Sequence, residues 1–438
     1  MKLNRPLRFP LLAPRSAPAM PGRRGPAWAW IPFAAICVLI GSGCSKKNVT
    51  GPIVPLPPLA SVTVSPRTDT LLVGQNLALS ATARDTLGVV VGNVPFMWNS
   101  TDPAIATVDG NGRVHASSEG TAEIIVAAGG RSDTATIAVI VQRGWFTQVS
   151  HTSNDLNGIF FQNDGRTGWA VGAGGRIVST TDAGANWAVQ VSNSQFNLNA
   201  VWFTGAQEGW AVGSGGAVLH TLNGGTLWTA VTSNASENLL DVWFATRDTG
   251  WVVGTNGLVL RTFNRGLTWQ RLQPTAFDLQ SVSFSGTLDG WAVGNAGVIL
   301  GTHDRGLSWF IVQPSITAQP LRAVWRRSAS QAWAAGQAGV TPRTIVTTDS
   351  TAWELDNSGA SNDLQGVCYP DDQIGYAVGF NSGGVGIVLR TDDAGLSWQS
   401  LTPNTQFRLK DVFFIDARNG WVVGRNGTIL HTSTGGLP

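Results

Sequence analysis

The side chains that could do chemistry are few, and their spacing limits what they could do. The chain has 438 residues and only two tyrosines, Tyr369 and Tyr376, against 19 tryptophans and 17 phenylalanines. A tyrosine nucleophile assisted by a glutamate, with arginines for the substrate carboxylate, is one route to glycoside hydrolysis. Tyr376, however, stands where a tryptophan recurs along the chain, and Tyr369 directly follows Cys368 in a strand-like run. Both read as core, so this chemistry is not expected. The five histidines, His115, His151, His220, His303 and His431, fall at no metal-ligand spacing. His220 and His431 share a repeat position with Arg261 and Arg390, which reads as a solvated edge. Residues 172–175 and 213–216 have the Gly-x-Gly-Gly form of a phosphate loop, but no helix follows and the motif recurs as a turn. No catalytic residue, metal or cofactor is therefore expected.

What recurs is the framework. The first aromatic of each copy falls at Trp169, Trp210, Trp251, Trp291, Trp333, Tyr376 and Trp421, at spacings of 40 to 45 residues. Short apolar runs separated by glycine turns at such a period predict an all-β, seven-bladed propeller of four-stranded blades. In the second copy the strands, lettered a to d, are expected at residues 198–203, 209–212, 217–221 and 227–231. Blades stack face on face, so both faces of a strand are buried and strict alternation is lost. The c to d turn carries Ser/Thr-x-Asp/Asn-x-Gly-x-x-Trp, as in Thr180-Thr181-Asp182-Ala183-Gly184-Ala185-Asn186-Trp187. There an Asp or Asn caps its own turn and the glycine takes the backbone angle that other residues avoid.

The last copy stops before its tryptophan and fourth strand, whereas residues 145–149 precede the first copy as an orphan strand d. Pairing them would close the ring and remove an exposed edge. The expected propeller therefore spans residues 143–438.

The N-terminal part reads differently. Basic residues precede an apolar run over residues 27–40, and Gly41-Ser42-Gly43-Cys44 follows. Residues 1–43 read as an export signal, too short for a bilayer span of about 20 apolar residues. A start at Met20 would give it a more ordinary length. The ending resembles a bacterial lipoprotein signal, which implies lipidation at Cys44 and attachment to the cell envelope, at the outer membrane or cell surface. Residues 44–60 are proline-rich and read as a spacer. Residues 61–142 alternate as short strands of a β-sandwich. Their Val64-Ser65-Pro66, Trp98-Asn99-Ser100-Thr101-Asp102 and Ala106-Thr107-Val108-Asp109 runs resemble the bacterial immunoglobulin-like group 2 domain. With no cysteine pair, packing around Trp98 is expected to join its sheets.

Residues 144–438 resemble the photosystem II stability and assembly factor family, through the Gly-Trp-Ala/Val-Val-Gly run, the Asp-box turn and Leu239 to Phe244. The resemblance implies a non-enzymatic propeller whose face docks on a membrane-protein assembly intermediate. An immunoglobulin-like domain and a lipid anchor ahead of the propeller are what an envelope protein of a non-photosynthetic bacterium would carry. The expected partner is a protein of a membrane or envelope complex. Nucleic acid is not expected, because 13% charged residues and a net charge of +2 leave no basic field. The protein is read as monomeric and membrane-associated through its lipid. A glycan-binding adhesion protein, or less readily a sialidase-like hydrolase, are the alternatives.

Two sets of residues are candidate sites. Asn157, Asn199, Gln280, Arg322, Gln365 and Lys410 follow the first leucine of strand a and are expected to rim one mouth of the central channel. Arg322, Arg326, Arg327 and Arg343 gather in the irregular fifth repeat and are expected to present a basic patch to an acidic protein segment. Cys368 shares a position with Phe160, Trp202, Trp243 and Trp325 and reads as a small buried residue.

Overall fold

The computed structural model describes residues 58–313, 315–346, 351–356, 358, 359 and 361–438. The export signal, Cys44, nearly all of the spacer and residues 347–350 of the fifth Asp-box lie outside the described residues. Residues 57–438 form one compact unit, which among the described residues contains every buried apolar cluster.

The first strand, Leu59–Ser65, begins inside the stretch read as spacer and pairs with Ser80–Asp85. Thr68–Leu72, Arg131–Ile140, Gly120–Ala128 and Met97–Ser100 form a second sheet in that order, and three short strands complete the sandwich. Alternation along Gly120–Ala128 turns Ala122, Ile124, Val126 and Ala128 inward. They meet Ala135, Ile137 and Val139, and Ile124 and Ile137 have no exposed surface. Trp98 is not the centre. It packs at the margin over Gly112, where a Cβ would stand 2.8 Å from the indole. The aliphatic layer joins the sheets because it faces inward from both sides.

Seven four-stranded antiparallel sheets follow. Blade 1 comprises Leu156–Phe161, Gly168–Gly172, Ile177–Thr180 and Ala188–Gln190, from strand a to strand d. Blade 7 comprises Leu409–Phe414, Gly420–Gly424 and Ile429–Thr432, and its fourth strand is Phe146–Gln148. Phe146 lies opposite His431 and Gln148 opposite Ile429, so the ring is closed by chain from before blade 1. The inner strands touch their neighbours in an unbroken circuit around the axis.

Tryptophan recurs because each seam needs it twice. The first aromatic of a blade lies flat on the sixth residue of the next blade's strand a: Trp169 on Phe203 at 3.5 Å, Trp210 on Phe244 at 3.7 Å and Trp421 on Phe161 at 3.6 Å. The Asp-box tryptophan meets the same phenylalanine edge-on, as Trp187 meets Phe161 at 86°. Each such pair adds about 0.5–1.5 kcal/mol to the burial of the rings. The indole N–H then donates across the seam. Trp169 Nε1 reaches Gly224 O at 3.0 Å and Trp210 Nε1 reaches Arg265 O at 3.1 Å, both carbonyls belonging to the next blade's Asp-box. The box thus caps its own turn and also presents an acceptor to its neighbour. Within it Thr180 Oγ1 accepts from Gly184 N at 2.9 Å and Asp182 Oδ1 from Asn186 N at 2.9 Å. In the fourth box burial opposes ionisation of Asp304, yet bonds from Ser308 and Thr302 hold its pKa down at about 2.

Glycine is required in the b to c turn. At Gly175 φ is +72° and a Cβ would lie 2.0 Å from Ser194 O.

The histidine position is not a solvated edge. His431 lies flat on Trp421 at 4.7 Å and His220 on Trp210 at 4.9 Å, while Arg261 and Arg390 are 9% and 7% exposed. Strand c is covered on both faces, and burial pushes the His431 pKa down to about 4. Tyr376 and Tyr369 are core residues, stacked on Phe414 and Trp333.

Candidate functional site

Strand a alone lines the axis, so whatever the channel can do is written in its successive positions. Position 1 is a buried leucine in every blade. Position 2 is skipped by the a to b ladder: in blade 1, Leu156 pairs with Gly172 and Gly158 with Val171, leaving Asn157 as a bulge. The same shift occurs in all seven blades. A bulge residue is free of its ladder and re-aims its side chain.

Six of the seven bulge residues, all but Leu240, are polar, and they form a half-buried belt in which Asn157, Asn199, Arg322 and Lys410 bond to a neighbouring blade. Asn157 Nδ2 donates to Leu198 O at 2.8 Å and Asn199 Nδ2 to Leu239 O at 2.7 Å. Lys410 Nζ donates to Asp155 Oδ2 at 3.0 Å and to Asn157 Oδ1 at 2.7 Å, across the seam between blades 7 and 1. Gln280 Nε2 and Arg322 Nη1 both reach Asn295 Oδ1 at 3.4 Å, and Gln365 Nε2 reaches Asp363 Oδ1 at 2.8 Å.

Position 3 brings two carboxylates inward. Asp241 Oδ2 accepts from Val282 N at 2.9 Å and Ser281 Oγ at 2.8 Å, in the next blade. Asp411 Oδ2 accepts from Ile159 N at 2.9 Å and so clasps blade 7 to blade 1. Both line an internal cavity of about 80 Å³ with mainly apolar walls. Loss of hydration there outweighs these bonds and raises Asp241 to about 6 and Asp411, which also feels Asp241, to about 7.

Position 5 closes the axis. Phe160, Trp202, Trp243, Trp325 and Phe413 contact one another in a circuit, with centroids 4.9, 4.0, 5.9, 6.1 and 5.1 Å apart in turn. Blades 4 and 6 contribute the smaller Ser283 and Cys368, whose side chains instead accept Arg326 N at 2.9 Å and Phe414 N at 3.4 Å. Burial pushes the Cys368 thiol up to about 12. A thiolate is the reactive form. Cys368 is therefore expected to resist iodoacetamide in the folded protein and to alkylate in urea, with peptide mass spectrometry as the readout.

The aromatic circuit is the floor of a cup of about 520 Å³ at the end of the channel where strand a finishes. Arg247, Arg327, Asn163 and Pro370 stand on its wall. Arg247 pairs with Glu208 and Arg327 with Asp372, and Arg327 Nη1 also donates to Pro370 O at 2.6 Å. The two arginine side chains remain 55% and 36% exposed.

The four arginines of the fifth repeat do not form one patch. Arg326 is 3% exposed and replaces the usual seam phenylalanine, its guanidinium 5.7 Å above Trp291 and bonded to Ser285 Oγ and Ala329 O. It is unavailable to a partner. Arg343 is on strand c, paired with Glu354 at 2.9 Å and Asp356 at 2.5 Å. Arg322 belongs to the belt, four residues of strand and about 13 Å from Arg326. Of the four, Arg327 is the exposed one on the cup wall, where it is paired with Asp372. Its companion on the wall, Arg247, carries no signal in the repeat pattern, because the a to b loops vary too much to align. The aromatic floor was legible in the shared position of Cys368, Phe160, Trp202, Trp243 and Trp325, but not that the rings touch.

Residues 137–236 and 226–324 match the family model of the photosynthesis system II assembly factor YCF48, and residues 58–139 match that of the bacterial Ig-like domain, group 2. Over 106 residues the chain is 29% identical to the photosystem II assembly lipoprotein Ycf48 of Synechococcus sp. (strain CC9902), a match covering 23% of this chain and 30% of that protein. Among solved structures, YCF48 bound to D1 peptide matches with a TM-score of 0.56 and 20% identity over 67% of this chain and 96% of that one. YCF48 from Cyanidioschyzon merolae matches with 0.55 and 22% over 66% and 98%. Virginiamycin B lyase from Staphylococcus aureus matches with 0.56 and 9% over 67% and 99%. The chain thus joins a bacterial Ig-like domain to a seven-bladed propeller resembling the photosystem II assembly factors. Assembly factors and a lyase share this fold, so fold alone does not choose between docking and catalysis.

Proposed function

We propose that the chain is an exported, lipid-anchored scaffold whose propeller docks a segment of an envelope-complex protein in the aromatic cup, without catalysis. The carrying observation is the cup, with a floor of five touching aromatics and Arg247 and Arg327 on its wall. Aromatic and arginine side chains in a concave, largely desolvated surface are what binding hot spots are made of. The floor suits an apolar side chain of the bound segment. A carboxylate on that segment competes with Glu208 and Asp372 for the two guanidinium groups. Likeness to assembly factors, one of them solved with a D1 peptide, favours a protein segment as ligand. Photosynthesis is no part of this reading.

The absence of catalysis is supported by the fate of the tyrosines. Burial raises both phenols, and Tyr376 bonds Ala417 O at 2.8 Å, so neither is placed as a nucleophile. The lipid is attached at Cys44 and holds the protein at the outer membrane or cell surface as a monomer.

The test places a photo-crosslinking residue at Asn163, on the cup wall, and at Asn199, in the belt. Crosslinks to one envelope protein are expected from position 163 and not from 199. Arg247→Glu with Arg327→Glu should lower their yield about tenfold or more. Equal yields from both positions, or no effect of the charge reversal, would discard the cup. The half-buried rings of Trp243 and Trp325 on the cup floor also suit a sugar, so a glycan array that binds the wild type and not Trp325→Ala would move the reading to an adhesion protein.

A further inference from the structure

We propose that one pole of the Ig-like domain is a membrane-contact surface that inserts the hairpin tip Leu87-Gly88-Val89-Val90 into the interface of an anionic bilayer. Four large apolar side chains lie bare at that pole: Leu87 is 85% exposed, Met97 72%, Val89 59% and Val90 54%. Strand pairing brings them together. Asp85, which starts the hairpin turn, lies opposite Leu59, Met97 lies opposite Ala127, and the adjoining Ala128 lies opposite Arg131. Arg131 Nε donates to Leu59 O at 3.3 Å, so the start of the first strand, the hairpin and the turn at Gly129 share one end of the sandwich.

The tip is built rather than loose. Asp85 Oδ1 accepts from Leu87 N and from Val89 N, each at 2.9 Å, and Arg84 Nη1 donates to Gly88 O at 2.8 Å. The Asp85 carboxylate is therefore spent on the turn, while Arg84 and Arg131 are exposed beside it. Apolar tips flanked by arginines match a bilayer interface, where the chains enter the acyl boundary and the guanidinium groups meet anionic headgroups.

Where the chain enters the fold identifies the occupant. The described chain begins at Pro58, one residue before Leu59, at this same pole. Residues 45–57 separate it from Cys44, a reach of at most about 45 Å when fully extended. A lipid at Cys44 therefore tethers this pole within about 45 Å of the membrane. The inference rests on the anchor reading for its direction, but the surface can be tested without the anchor.

Residues 57–438, which hold every core cluster, are spun with sucrose-loaded vesicles of phosphatidylcholine, alone or with about 30% phosphatidylglycerol. Co-sedimentation is expected with the anionic vesicles. Leu87→Asp with Val89→Asp should lower the bound fraction about tenfold or more. Arg84→Ala with Arg131→Ala should lower it about 20-fold on anionic vesicles only. All four side chains are exposed, so unchanged melting certifies the fold. No co-sedimentation, equal binding by the aspartate variant, or a dimer that this variant abolishes would overturn the proposal. The mass of the processed full-length chain reports lipid at Cys44 separately, so failure of the anchor and failure of the surface are distinguishable.

Discussion

Between pH 4 and pH 8 the propeller is expected to lose roughly 4 kcal/mol of stability relative to an Asp241→Asn/Asp411→Asn variant. The sign follows from the direction of the two shifts. Burial raises Asp241 to about 6 and Asp411 to about 7 from an ordinary value of 3.8. Through that interval the folded chain holds protons that the unfolded chain has released. Their stabilisation is complete below the unfolded value and disappears as pH rises through the folded ones. Taken at face value the shifts sum to about 7 kcal/mol. The channel cavity leaves both carboxylates some surface, and solvent screening there reduces the figure to the smaller one. His431 works the other way: its pKa is depressed to about 4, so its contribution falls as pH drops below the ordinary histidine value. It is present in both proteins and cancels in the difference. Urea midpoints of the two proteins, measured at half-unit intervals, should therefore diverge steadily with pH. Parallel curves would mean that water fills the channel well enough to keep both aspartates ionised throughout.

Trp145→Ala should cost about 3–5 kcal/mol, the loss typical of a buried tryptophan. Trp145 is 3% exposed, meets Phe414 edge-on at 5.9 Å and packs with Leu401 and Leu437. Equivalent tryptophans precede strand d of their own blades, so what is lost there is confined to one seam. Trp145 in addition holds Phe146–Gln148 against Ile429–Thr432, three residues of pairing that join the two ends of the propeller. Its loss should lower the melting midpoint on the order of 5–10 °C for a unit of this size. Proteolysis between Gln142 and Ser150 should also become faster. A change below about 1 kcal/mol, the range of ordinary surface substitutions, would show that the ring is held shut elsewhere.

Much of this architecture is legible in one repeat. Strand a of blade 2 runs over Leu198–Phe203 as the apolar pattern requires, and the missing fourth strand of the last copy is found where the orphan segment stood. Local signals suffice there, because turn glycines and paired tryptophans recur in register. The Ig-like domain is less transparent. Thr68–Leu72 opens on three polar residues, Thr68, Asp69 and Thr70, so its own composition does not separate it from loop and its partner strand fixes it instead. Trp98 misled for a related reason: a large ring attracts attention, but only the pairing register decides which face looks inward.

The candidate sites divide along the same line. The polar residues after each leucine stood out as a column, and the column is real. That it is a bulge, stitched across seams by side-chain amides, depends on the ladder and on the neighbouring blade. Arg326 and Arg327 are adjacent in sequence, yet Arg326, the last residue of Leu321–Arg326, turns into a seam while Arg327, just beyond it, is exposed on the cup wall. Asp241 and Asp411 lie 170 positions apart in the chain. By itself the sequence determined the blade count, the closing partner and the economy of chemical groups, because each is encoded in spacing within forty residues or in composition. Only the tertiary structure decided that five aromatic rings touch, that two carboxylates share one cavity on the axis and that Arg247 joins Arg327 on the cup wall. Those are facts about the axis, where residues from different blades converge and no local pattern reaches.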